Sequence, residues 1–161
     1  MKLPTIRKYG MNPRATGKHR RAAWALCCLA SCGTAPLHAA CGVDTVSVAF
    51  GAYDPISGLA ADGVGSVVVS CEPAASYSIA LSAGGGSYAA RLLTAGAANL
   101  QYNLYSNPSH SMVWGDGSAG TVTVDGTGTG ATHHVYGRIP GSQTAAVAGA
   151  YSDLVLVTVD F

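Results

Sequence analysis

The last stretch of the chain, Tyr151–Phe161, reads Y-S-D-L-V-L-V-T-V-D-F, with Val155, Val157, Val159 and Phe161 alternating with Leu156, Thr158 and Asp160. A period of two is that of a β-strand with one buried face. No turn and no further strand follow it. Its outer edge therefore calls for cover, from elsewhere in this chain or from another chain, because an apolar strand with a free edge invites aggregation. The same period recurs upstream. Val46, Val48 and Phe50 alternate with Thr45, Ser47 and Ala49, Val64–Cys71 is rich in valine, and Tyr77, Ile79 and Leu81 alternate with small polar residues. Leu100, Tyr102 and Leu104 share one face of Asn99–Ser106, whereas Ser87–Leu93 is only weakly patterned. Thr121–Asp125 and Thr132–Ile139 read as two strands, with Gly126-Thr127-Gly128-Thr129-Gly130 as a polar hairpin tip between them. No window beyond residue 40 carries a sustained i, i+3, i+4 apolar stripe, so no helix is expected there. Short strands joined by Gly-rich turns imply an all-β sandwich or barrel.

The first 40 residues differ in kind. Lys2, Arg7, Lys8, Arg14, Lys18, Arg20 and Arg21 are seven of the nine basic side chains, and the apolar run Ala22–Ala30 and small residues up to Ala39-Ala40 follow them. That is the layout of a secretory signal, with an apolar run too short to span a bilayer. Cleavage after Ala40 leaves residues 41–161 as one domain. Leu29-Ala30-Ser31-Cys32 offers an alternative, a lipoprotein box with Cys32 lipidated. Removing the leader reverses the charge. Arg91 and Arg138 stand against eight acidic residues from Asp44 to Asp160, which is 2 − 8 = −6 with no lysine, in place of +1 for the whole chain. Such a domain gives phosphate backbones nothing to hold, so nucleic acid is not an expected partner.

Of the five cysteines, Cys41 and Cys71 lie beyond the leader. In an exported chain two cysteines most simply form one disulfide, the alternative being two free thiols. Turn signals in Gly51–Gly63 allow a hairpin centred near Ile56, in which facing residues sum to about 112, as 41 and 71 do.

Candidate chemistry is sparse. His133 and His134 are adjacent, so on a strand they face opposite ways and cannot chelate one ion together. His110 sits in a Ser/Asn/Pro loop, and Trp114-Gly115-Asp116-Gly117 has too few oxygen ligands for calcium and reads as a tight turn. Asp153 has Arg138 as a candidate ion-pair partner. No G-x-S-x-G, H-E-x-x-H or phosphate-cradling loop occurs, so no catalytic or metal residue, cofactor or small-molecule substrate is expected.

Six local patterns, in order, carry a family resemblance: A-F-G-A-Y-D-P (Ala49–Pro55), Y-S-I-A-L-S (Tyr77–Ser82), Y-N-L-Y (Tyr102–Tyr105), V-W-G-D-G (Val113–Gly117), V-Y-G-R-I-P (Val135–Pro140) and the closing Y-S-D-x-V-x-V-T-V. Together they resemble the spore coat protein U domain, a module also found in pilus subunits of the archaic chaperone–usher pathway. The resemblance implies an incomplete immunoglobulin-like β-sandwich lacking its last strand. It implies a periplasmic chaperone, an outer-membrane usher and other pilus subunits as partners, and a secreted, cell-surface location. It also implies an acceptor groove with Val46, Val48 and Phe50 on one side and Val155, Val157, Val159 and Phe161 on the other, filled by strand addition. Loops such as Tyr105–Trp114 and Thr127–His134, with Tyr102, Tyr105 and Tyr136, give a second expectation, an adhesin-like module touching a surface or glycan. No alternating apolar arm precedes Cys41, so the chain is expected to accept a strand rather than donate one, as a fibre-ending or accessory subunit.

Overall fold

The computed structural model describes residues 39–161 and the backbone of Arg7 and Lys8. The secretory-signal and lipoprotein expectations fall on residues that lie almost wholly outside these. Seven strands are described: β1 (Arg7–Lys8), β2 (Ala40–Val46), β3 (Ala61–Leu81), β4 (Arg91–Ala95), β5 (Ala98–Tyr105), β6 (Val124–Ile139) and β7 (Leu156–Asp160). The described residues contain no helix.

An antiparallel ribbon of β3 and β6 runs through the molecule, from Ala61 opposite Ile139 to Ile79 opposite Val124. The register shifts between Ser70 and Ala75, where Cys71–Ala74 stand opposite Thr129 alone. Such an insertion bends a strand and sharpens its twist, and Pro73, which has no N–H to give a ladder, falls inside it. The bend divides the ribbon between two layers. β2 lies along Ser66–Glu72 of β3, and β5 and then β4 lie beyond the Tyr136–Arg138 end of β6. Past the bend, β7 lies along Ser78–Leu81 of β3, on the edge that β2 follows earlier. The result is a curled antiparallel sheet closed over one core, a partial immunoglobulin-like sandwich. Trp114, Ile79, Val67, Val135, Ile139, Leu81, Leu93, Leu100 and Val155 are each no more than 1% exposed. Trp114 also donates its indole N–H to the Ile79 carbonyl at 3.0 Å, which fixes the V-W-G-D-G turn to β3.

Two sequence expectations are corrected. The valine-rich strand and the Tyr77–Leu81 strand are halves of the single strand β3. Gly126–Gly130 is no hairpin tip: it lies inside β6 and pairs with Ser70 and Ala75–Tyr77. The reason is close packing. The ring of Tyr77 lies where a side chain at Gly126 would stand, so the ribbon needs glycine in mid-strand.

The first strand keeps the expected register but not the expected extent: alternation placed it over Thr45–Phe50, and it runs over Ala40–Val46. Every β2–β3 pair sums to 112, from Ala40–Glu72 to Val46–Ser66, as the Ile56-centred hairpin requires. Cys41, Val43 and Thr45 face inward along this ladder. After Val46 the chain leaves it, and the inward positions become Val48 and Phe50. Val46, expected on their face, is 60% exposed, whereas Val48 is 2% exposed.

Candidate strand-acceptor edge

β7 has two unequal edges. On one it makes a four-residue ladder with β3, from Leu81 opposite Val157 to Ser78 opposite Asp160. On the other it meets only the two residues of β1, in parallel, Arg7 with Leu156 and Lys8 with Val157. Within residues 39–161 no strand pairs with that second edge. The chain leading into β7 is joined to β4: Thr94 exchanges backbone hydrogen bonds with Ser152 at 2.9 and 3.0 Å, just before β7. The open side therefore lies where β2 and β7 follow each other along β3.

The side chains expected to line a groove divide as follows. Val155 and Val157 are buried, Val159 is half-buried and Phe161 is 46% exposed. From the β2 side, Val48 is buried and Phe50 half-buried, its ring edge-on to Tyr102 at 5.9 Å. Both enter because three glycines leave room. A Cβ at Gly65 would stand 2.5 Å from the Val46 carbonyl oxygen, and one at Gly137 would stand 2.6 Å from Val48 and 2.7 Å from the Phe50 ring. Gly63 is similarly crowded by the Ala49 carbonyl. Cys41 and Cys71 are register partners joined by a disulfide, which pins β2 to β3 beside the bend.

Asp153 anchors the entry to β7. Its carboxylate accepts from the Tyr102 hydroxyl at 2.6 Å and from the backbone N–H of Gly85 at 2.9 Å and Leu154 at 2.7 Å. Burial, then the bond to this carboxylate, push the Tyr102 phenol far up, so it remains a donor. The expected Asp153–Arg138 pair does not form. Arg138 instead grips Asp62, its register neighbour across β3 and β6, with bonds of 2.6 and 2.7 Å, and holds that carboxyl below its ordinary range. Ladder neighbours already sit at contact distance, which a more distant carboxylate cannot match.

Arg91 is the residue that sequence reasoning missed. It is fully buried and donates to the Ser82 carbonyl at 2.9 and 3.2 Å, to Asn103 Oδ1 at 2.6 Å and to the Trp114 carbonyl at 2.7 Å. Burial lowers its pKa, because the guanidinium has lost water and is repaid mainly by neutral oxygens. Ser82 in turn exchanges backbone and side-chain bonds with Leu156, at 2.9 Å each. One guanidinium thus ties β4, β5 and the Trp114 turn to the start of β7. The available signal was an arginine leading the apolar run R-L-L in a domain that holds only two cations.

His133 and His134 do face opposite ways. His133 turns inward, with its Nε2 3.0 Å from the Tyr77 hydroxyl, while His134 is exposed.

A family model, the Spore Coat Protein U domain, matches residues 28–158. Protein U of Myxococcus xanthus is 33% identical over 126 residues, 70% of either chain. Among solved structures, the chaperone–tip adhesion subunit pre-assembly complex of the archaic chaperone–usher Csu pili of Acinetobacter baumannii matches with a TM-score of 0.56 at 21% identity. That match covers 77% of this chain and 40% of the other. At that identity it speaks for the fold, and the fold agrees with the incomplete sandwich. On its ordered motifs and the span of the family match, the chain belongs to the Spore Coat Protein U domain family.

Proposed function

We propose that this protein is an exported structural subunit of a surface pilus or coat, and that its sandwich is completed by a strand from another chain. A periplasmic chaperone lends the strand first, and a neighbouring subunit replaces it during passage through an outer-membrane usher. The observation that carries this reading is the second edge of β7, which has no ladder partner within residues 39–161. Strand addition fits such an edge: main-chain hydrogen bonds supply affinity, and alternate side chains pack on the face that holds Val155 and Val157. The family and the complex of a similar fold with its chaperone support the same partners. The role is structural, and a net charge of −6 over residues 41–161 leaves nucleic acid without a foothold.

The test is expression in an oxidising compartment with and without a periplasmic chaperone. Alone, the chain is expected to aggregate or to unfold without a cooperative transition. With the chaperone it is expected to co-purify as a one-to-one complex. A stable, cooperatively unfolding monomer obtained without any partner overturns the reading.

A further inference from the structure

A second surface lies away from the β7 edge. Along β2, β3 and β6 the inward positions are Val67, Val69 and Val135, so Val46, Val64, His134 and Tyr136 point outward. Val46 is 60% and Val64 56% exposed. Tyr136 is the register partner of both Val64 and Tyr105, which sets Val64, Tyr136 and Tyr105 in one row across three strands.

The loop after β5 completes this row. Asn107 closes it on itself: its Oδ1 accepts from the N–H groups of Ser111 and Met112 at 3.1 Å each, and its Nδ2 donates to the Ser109 and Ser111 hydroxyls at 2.7 Å each. The loop so fixed sets the ring of His110, whose backbone φ is 54°, edge-on to Tyr105 at 5.1 Å and to Tyr136 at 6.5 Å. His134 lies 6.2 Å from Tyr136. Two residues far apart in sequence, His110 and His134, thus meet around one tyrosine.

His110 turns its Nε2 toward Asp62 Oδ1 at 3.9 Å, but the polar ends of the other three rings are unspent. Elsewhere the tyrosine hydroxyls are engaged: Tyr53 with Pro140, Tyr77 with His133, Tyr102 with Asp153 and Tyr151 with Val147. Those of Tyr105 and Tyr136, and the imidazole of His134, have no hydrogen-bond partner among the described residues. Among the described residues the face also lacks a free arginine or lysine, because Arg138 is spent on Asp62 and Arg91 is buried. Phosphate, sulfate and carboxylate groups would find no counter-charge.

A ligand that suits this face has apolar C–H surface to lie on aromatic rings, several hydroxyls that donate and accept, and no charge. We propose that the Tyr105–His110–His134–Tyr136 face binds neutral oligosaccharides. This is independent of the strand-acceptor reading, since none of these residues lies on β7 or its groove.

The test uses the full exported chain, purified with whatever chaperone or subunit accompanies it. It is applied to immobilised neutral hexasaccharides of glucose, mannose and galactose, beside sialylated and sulfated glycans. Saturable binding to at least one neutral glycan is expected, with none to the charged ones. Tyr136→Phe keeps the ring and removes one hydroxyl, and His134→Ala trims an exposed side chain, so both are expected to fold normally. Each is expected to weaken binding about three- to tenfold, the effect of one hydrogen bond, while Leu154→Ala leaves it unchanged. Absence of neutral-glycan binding, binding confined to charged glycans, or equal binding by wild type, Tyr136→Phe and His134→Ala each overturns the proposal. It is likewise overturned if these two variants weaken only the association with a protein partner.

Discussion

Arg91 shows how much of this molecule can rest on one side chain. Its guanidinium satisfies three buried oxygens and is itself shielded from water. Arg91→Lys places a point charge where a planar fork is required. It is expected to cost about 2–4 kcal/mol in urea denaturation of the strand-filled protein, because buried acceptors lose their donors. The Arg138–Asp62 pair is also bidentate but lies at the surface, 39% and 48% exposed, so Asp62→Asn is expected to cost less than about 1 kcal/mol. The half-buried ring of His133 gives a pH dependence whose sign follows from its burial. Burial lowers its pKa below 6.5, so the folded state favours the neutral ring and the unfolded chain binds the extra proton. Stability is therefore expected to fall as pH drops below about 6.5 and to level off below the folded-state pKa. Melting curves at stepped pH check this, and His133→Asn is expected to flatten that part of the profile.

Among the elements, β6 carries the sharpest contrast with a reading by local pattern. Gly-Thr-Gly-Thr-Gly has the composition of a turn, yet all but Thr129 pair with β3, and Gly126 lies against Tyr77. Hydrogen exchange distinguishes the two arrangements: the amides of 126–128 are expected to be protected, as in a strand, rather than to exchange at the rate of a loop tip. Gly126→Val is expected to destabilise by about 1–3 kcal/mol, because a branched side chain there meets the Tyr77 ring. Exposed Thr127 is expected to accept valine without loss. The disulfide acts at the same scale. It closes a 30-residue separation between β2 and β3, and the Cys41→Ala, Cys71→Ala double variant is expected to lose about 3–4 kcal/mol.

For the whole molecule the governing fact is the imbalance around β7. The Thr94–Ser152 bridge joins the chain leading into it to β4, while the side where β2 and β7 follow β3 has an edge without a strand from residues 39–161. A peptide that supplies alternating apolar residues to β7 is expected to raise the melting temperature in a concentration-dependent way. Val157→Asp, which puts a charge among the buried side chains of β7, is expected to abolish that rise. N-terminal sequencing of exported material is expected to begin at Cys41, the start that fits an accepting, accessory subunit. A start well upstream, with the extra arm inserted in a neighbour, refutes that placement.

What the sequence determined by itself is what neighbouring residues encode. Alternation marked Tyr77–Leu81 and the terminal Val155–Val159 run, turn residues set the spacing that made Cys41 and Cys71 face each other, and six short motifs marked the family. These signals are local, or depend on a single loop length. Only the tertiary structure decided that Gly126–Gly130 is strand, that Arg138 takes Asp62 rather than Asp153, that Val46 turns outward while Val48 turns in, and that Arg91 lies at the centre. Each of these depends on which distant backbone comes to lie alongside. A glycine reads as a turn until a tyrosine ring occupies the space above it, and an arginine reads as surface until three carbonyl and amide oxygens close around it.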